Sequence, residues 1–139
     1  MEQLTSPNGR LAVRFSVEDD GADRDIFRSC PMWSVTIGDR PVLLPSRLGL
    51  RLDGEPTLLT HFEIADTRRT SKDSTWRPVC GEHAEIRDHF EELEITLEET
   101  IEPHRKLILT FRAYDDGAAF RYTVPKQEAC GVLDIWREE

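Results

Sequence analysis

Leu11, Val13, Phe15 and Val17 are apolar, while Ala12, Arg14, Ser16 and Glu18 between and after them are small, polar or charged. A period of two marks a strand with one buried face. Asp19-Asp20-Gly21 then supplies turn residues, because Asp tolerates unusual backbone angles and Gly accepts positive φ at little cost. The same grammar returns in Trp33, Val35 and Ile37 before Gly38-Asp39, and in Val42 to Leu44, which the pattern closes at Pro45 because proline donates nothing to a ladder. Leu48 to Leu52 reads as a short strand ending at the turn pair Asp53-Gly54, and Leu58 with His61 to Ile64 as a less regular one.

Asp66 to Asp73 is polar and charged with no apolar period, so it is expected to be an exposed, mobile loop whose tip is free to meet a partner. Beyond it the alternation is cleaner. Leu93, Ile95 and Leu97 alternate with Glu92, Glu94, Thr96 and Glu98; Leu107, Leu109 and Phe111 alternate with Ile108, Thr110 and Arg112. Glu102-Pro103-His104 connects these two runs. Asp115-Asp116-Gly117 separates the second run from Ala119 to Val124, where Phe120, Tyr122 and Val124 share a face, so the two should pair as an antiparallel hairpin. No ten-residue stretch carries helical periodicity, and no internal repeat is present. Many short strands with little helix predict an all-β, antiparallel sandwich.

The chain of 139 residues fits one domain over residues 1–139 and has no room for a catalytic barrel of roughly 250 residues. Its 38% apolar and 32% charged content predicts a folded chain with a thin core. The 18 basic residues are scattered among 27 acidic ones, for a net charge of −9. Such a field repels nucleic acid and anionic membranes, and neither is expected as a partner; neutral sugars remain compatible. No apolar stretch is long enough to span a bilayer. Met1 to Arg10 lacks the basic and apolar regions of a secretory signal, so the expectation is a cytoplasmic chain or one whose leader has been removed. Cys30, Cys80 and Cys130 are odd in number and widely spaced, so at most one internal disulfide is possible and free buried thiols are expected.

Several ordered motifs carry a resemblance. Ser6-Pro7-Asn8-Gly9-Arg10-Leu11 is followed by Gly38-Asp39-Arg40-Pro41-Val42-Leu43 and Ser46-Arg47-Leu48-Gly49-Leu50, then by Trp76-Arg77-Pro78-Val79-Cys80-Gly81-Glu82 and Ile86-Arg87-Asp88-His89-Phe90. The strongest closes the series: Phe111-Arg112-Ala113-Tyr114-Asp115-Asp116-Gly117-Ala118-Ala119-Phe120-Arg121-Tyr122. From Ser6 to Gln127 this order resembles the first part of the N-terminal domain of glycoside hydrolase family 97. The resemblance implies a β-super-sandwich related to galactose mutarotase-like domains, incomplete here because the family's domain is longer. It implies a following (β/α)8 barrel that holds the catalytic carboxylates of enzymes acting on α-glucosides or α-galactosides, usually outside the cytoplasm. It also implies calcium for the full-length enzyme, with the domain's calcium-ligating glutamate beyond the end of this chain. No catalytic, metal or cofactor residue is therefore carried onto this chain.

Candidate chemistry follows from residue types. A sugar packs the apolar face of its ring on an exposed aromatic plane while polar groups take its hydroxyls. Trp76 is the first candidate, with Arg77, Glu82, Arg87, Asp88 and His89 as the neighbouring carbohydrate-binding set. The structural reading is that Trp76 packs on the sandwich and Arg87-Asp88 orders a turn. Trp33, on an alternating apolar face, is expected in the core; Trp136 either caps the sheet or joins an interface. Glu82, Glu85 and Asp88 bring carboxylates into one region, as glycoside hydrolysis requires, but acidic residues are abundant and a solvated face accounts for them. Cys80 and His83 have a ligand-like spacing without the further Cys/His pair that a structural zinc site needs. Arg112 and Arg121 are expected opposite their neighbouring aromatics, paired with Asp115, Asp116 or Glu94 at about 0–1 kcal/mol each.

The functional expectation is a non-catalytic, carbohydrate-associated domain that binds an oligosaccharide or docks onto a glycosidase barrel. The rival is a self-associating structural module, a homodimer in which a second copy covers the exposed face. Epimerisation by analogy with mutarotase-like sandwiches rests on architecture alone, and architecture does not fix chemistry.

Overall fold

The computed structural model describes residues 1–19, 28–53 and 56–139. The turns expected at Asp19-Asp20-Gly21 and Asp53-Gly54 involve Asp20, Gly21 and Gly54, which lie outside the described residues. The described residues form ten strands and no helix: β1 (Glu2–Thr5), β2 (Leu11–Glu18), β3 (Cys30–Ile37), β4 (Arg40–Arg47), β5 (Leu50–Leu52), β6 (Phe62–Trp76), β7 (Ile86–Glu99), β8 (Lys106–Ala113), β9 (Ala118–Thr123) and β10 (Ile135–Glu138). They pair antiparallel into two four-stranded sheets, β1-β2-β3-β4 and β6-β7-β8-β9, and a two-stranded sheet, β10-β5.

The alternation read from the sequence is the alternation of burial. Leu11, Val13 and Phe15 of β2 are buried, as are Leu93, Ile95 and Leu97 of β7 and Leu107, Leu109, Phe111 and Ala113 of β8. These two inner faces form one core with Leu48, Leu50, Leu52, Leu58 and Phe62. The sheets meet through rings: Phe111 of β8 lies 5.7 Å from Phe15 of β2 and 5.8 Å from Trp33 of β3, and Trp33 lies 4.8 Å from Phe120 of β9. Trp33 is thus partly buried and packs against the core, as its pattern predicts. The expected hairpin is present, with β8 and β9 in register from Ala113↔Ala118 to Ile108↔Thr123.

Three expectations are corrected. Asp66 to Asp73 is not a loop but the middle of β6, paired rung by rung with β7. An edge strand that buries neither face has no apolar period to read; the backbone groups that face β7 are nevertheless paired with it, and side chains find cross-strand partners such as Ser71 with Glu91 at 2.8 Å. Second, β4 continues through Pro45 to Arg47. It is the edge strand of its sheet, and its register slips between Leu43 and Ser46, so a residue without an N–H interrupts little. Third, of the cysteines Cys30 alone is buried; Cys80 is exposed and Cys130 half-buried.

Two features were not legible beforehand. Glu99 and Arg105 are 3% and 2% exposed and form a buried, bidentate ion pair at the β7–β8 connection, with Nη2 2.6 Å from Oε1 and Nε 2.8 Å from Oε2. The Arg105 backbone N–H also donates to Glu99, and its guanidinium donates to the carbonyls of Pro56 and Thr57. The pair thereby ties the chain before β6 to the end of β7. Gly49, between β4 and β5, has φ +154°, and a Cβ there would lie 2.6 Å from the Leu58 carbonyl oxygen, so only glycine fits. Its N–H donates to the Tyr122 hydroxyl at 2.8 Å, and burial pushes that phenol up to about 12 against the Gly49 hydrogen bond, which lowers it.

Removing one member of a buried pair strands the other charge. Glu99→Ala should therefore destabilise the chain by about 3–5 kcal/mol in urea unfolding, whereas Glu98→Ala, on the outward face, should stay within about 0.5 kcal/mol. Because Tyr122 binds its proton more tightly folded than unfolded, its contribution to stability is complete below about pH 10 and lost as pH rises towards about 12. Unfolding measured across that window should show this decline in the native chain and a smaller one in Tyr122→Phe.

Candidate functional site

β8 pairs with β7 only from Glu91↔Ala113 to Glu98↔Lys106, whereas β6 follows β7 to Trp76↔Ile86. The rungs from Lys72↔Phe90 to Trp76↔Ile86 therefore run past the end of β8 as a two-stranded arm. Alternation assigns its side chains to two faces. Lys72, Ser74 and Trp76 share one with Ile86, Asp88 and Phe90, and Asp73 and Thr75 share the other with Arg87 and His89.

Charges on the arm pair with one another. Lys72 Nζ lies 2.8 Å from Asp88 Oδ2, Arg87 donates twice to Asp73 at 2.8 and 2.7 Å, and Arg77 donates twice to Glu85 at 2.9 and 2.7 Å. The hydrogen bond from Arg87 holds the Asp73 carboxyl below the usual carboxylate range and raises the Arg87 guanidinium in turn. These pairs are exposed and screened, so they set register more than stability. On the first face the Arg112 guanidinium of β8 lies 4.2 Å from the centre of the Phe90 ring, and its Nε donates to Glu92 at 2.6 Å. The partner of Arg112 is thus Glu92, across the strand, and not the turn aspartates or Glu94.

The six residues singled out from the sequence divide accordingly. Trp76 is 52% exposed at the end of β6 and shares a face with Asp88. Arg87 and His89 lie on the opposite face, and Arg77 and Glu82 are exposed in the connection between the strands. Arg77, Arg87 and Asp88 are each engaged by a charged neighbour and brace the arm. Glu85 and Asp88 are likewise committed to Arg77 and Lys72. Val79, three residues after Trp76 and not among the candidates, is fully exposed. The available signal was complementarity: a run containing Arg68, Arg69 and Lys72 that lies against one containing Glu91, Glu92 and Glu94.

Trp136 is 67% exposed on β10, at the point where the register with β5 slips, so it does not cap the core. Among the described residues no group of three or more His, Cys, Asp or Glu side chains is placed to hold a metal ion. No helix is long and apolar enough to cross a membrane.

The sequence model of one protein family, described as Glycosyl-hydrolase 97 N-terminal, matches residues 4–139. A retaining alpha-galactosidase of Bacteroides thetaiotaomicron is 25% identical over 119 residues, which are 86% of this chain and 16% of that protein. A family 97 enzyme from Pseudoalteromonas sp. strain K8, solved in complex with panose and with acarbose, superposes with a TM-score of 0.86 at 24% identity, over 99% of this chain and 19% of that one. A beta-arabinopyranosidase gives 0.81 at 21% identity, over 99% and 20%. These structures share the sandwich, and the chain spans less than about a quarter of each relative's length.

Proposed function

The chain belongs to the N-terminal domain family of glycoside hydrolase family 97, and from that premise we propose that it is a non-catalytic accessory domain whose β6–β7 arm docks on a glycosidase catalytic barrel and helps shape the sugar pocket there. The observation that carries this reading is the arm itself. It continues past the end of β8 and presents Trp76 and Val79 to solvent.

A two-stranded ribbon alone is marginal in water, so a long one that leaves its sheet is best accounted for by a surface it meets. Large exposed aromatic and aliphatic side chains beside paired charges match the make-up of an interface, in which an anchor is desolvated while the rim stays polar. The polar neighbours of Trp76 are turned on one another, which favours a protein surface over sugar hydroxyls as what the arm contacts. The relatives are about five times as long as this chain, ample for a barrel. The domain's role towards oligosaccharides, such as the panose and acarbose held by the Pseudoalteromonas enzyme, is then to complete a wall of a pocket whose chemistry lies elsewhere.

Calorimetric titration of the 139-residue chain with the barrel portion of the Bacteroides thetaiotaomicron alpha-galactosidase tests the proposal, with panose titrated separately. Saturable binding of the barrel is expected, weakened about thirtyfold by Trp76→Ala, as for a central interface anchor. Binding of panose alone, abolished by the same substitution, would make the domain a glycan binder instead. A stable homodimer that binds neither would overturn the docking role.

A further inference from the structure

The outward face of the β6–β9 sheet holds a second feature, on other strands than the arm tip. In register across β7, β8 and β9, one row of that face is Glu94, Thr110 and Arg121, and the next is Glu92, Arg112 and Ala119. Side chains in such a row stand about 5 Å apart at Cβ. Arg112 is committed to Glu92 and to the Phe90 ring, and the short Ala119 beside it leaves a hollow. The result is a cavity of about 160 Å³ lined by Thr110, Arg112, Tyr114, Ala119, Phe120 and Arg121.

Thr110 is 4% exposed, and its Oγ1 is a buried side-chain polar atom with no hydrogen-bond partner among the described residues. Valine has the same shape and the same preference for strands, so an unpartnered hydroxyl here costs stability with no structural return. Its cross-strand neighbour Arg121 is exposed and makes no ion pair among the described residues. No carboxylate lines the cavity, in a chain with 27 acidic residues. The site therefore offers a hydroxyl and a planar guanidinium fork with no acceptor between them, beside the Ala119 methyl and the Tyr114 ring; the Phe120 ring turns to the other face, against Trp33.

We propose that this cavity binds a small organic carboxylate. One carboxylate oxygen accepts a hydrogen bond from the Thr110 hydroxyl and the other accepts from the Arg121 guanidinium, while the body of the ligand lies on Ala119 and the Tyr114 ring. The volume is below the roughly 300 Å³ at which drug-sized pockets begin, which suits one ring or a short acid. A free acid and a terminal uronic acid of a glycan offer the same group. This assignment stands on β8 and β9 alone and does not depend on the docking of the arm.

The test is calorimetric titration of the 139-residue chain with benzoate, with glucuronate and with glucose as the neutral counterpart of the latter. Saturable binding of at least one acid and none of glucose is expected; benzoate alone would indicate a free acid, glucuronate alone a glycan terminus. Thr110→Val and Arg121→Ala should each weaken binding at least tenfold, and Thr110→Val should melt no lower than the native chain because it removes an unpartnered hydroxyl. Absence of binding by both acids, glucose binding equal to that of glucuronate, or acid binding that survives both substitutions would each overturn the assignment.

Discussion

Two sheets with one apolar face each have only each other to bury against, and the contact that fixes how they meet is the Phe111 ring of β8 against Phe15 and Trp33. Once Phe111 points inward, alternation sends Thr110 and Arg112 outward, and pairing with β7 sends Glu92 and Glu94 outward with them. A slip of one residue would exchange the two faces completely. The core is thin in composition but closed in geometry: Leu93, Ile95, Leu97, Leu107, Leu109 and Phe111 are at most 1% exposed.

From that register the other features follow. β8 ends at Ala113 while β7 extends back to Ile86, so the far part of the β6–β7 pair leaves the sheet and becomes an arm. Its strands hydrogen-bond to each other along one edge each, its charges neutralise one another across it, and its apolar side chains collect at the tip. The Glu99–Arg105 pair does the complementary work at the opposite end of β7, where a buried carboxylate and guanidinium hold the incoming chain by its carbonyls. The same strand is thus anchored by charge at one end and freed at the other.

How legible this was depended on burial. β2, β7, β8 and β9 announce themselves because each has one face in the core, and the Asp115-Asp116-Gly117 turn makes their last pairing plain. β6 is silent because only Phe62 of its residues is buried; a strand that touches no core has no hydrophobic period, and it looks like a loop. The candidate residues around Trp76 were found by type, but their division between two faces depends on a pairing the sequence alone did not give. Glu99 and Arg105 escaped for the opposite reason: six residues apart, in a chain rich in charges, nothing marks them as the pair that is buried. The family motifs located Gly49, while the close approach of Leu58 that requires it is visible only in three dimensions.

Amide hydrogen exchange across β6 and β7, read in the free chain and after addition of a family 97 catalytic barrel, tests the central claim most directly. The account predicts that amides in 72–76 and 86–90 exchange faster than those of Leu93 to Leu97 in the free chain and become protected when the barrel is added. Uniform slow exchange along the whole of β7, or protection that appears elsewhere and leaves the arm unchanged, would contradict it.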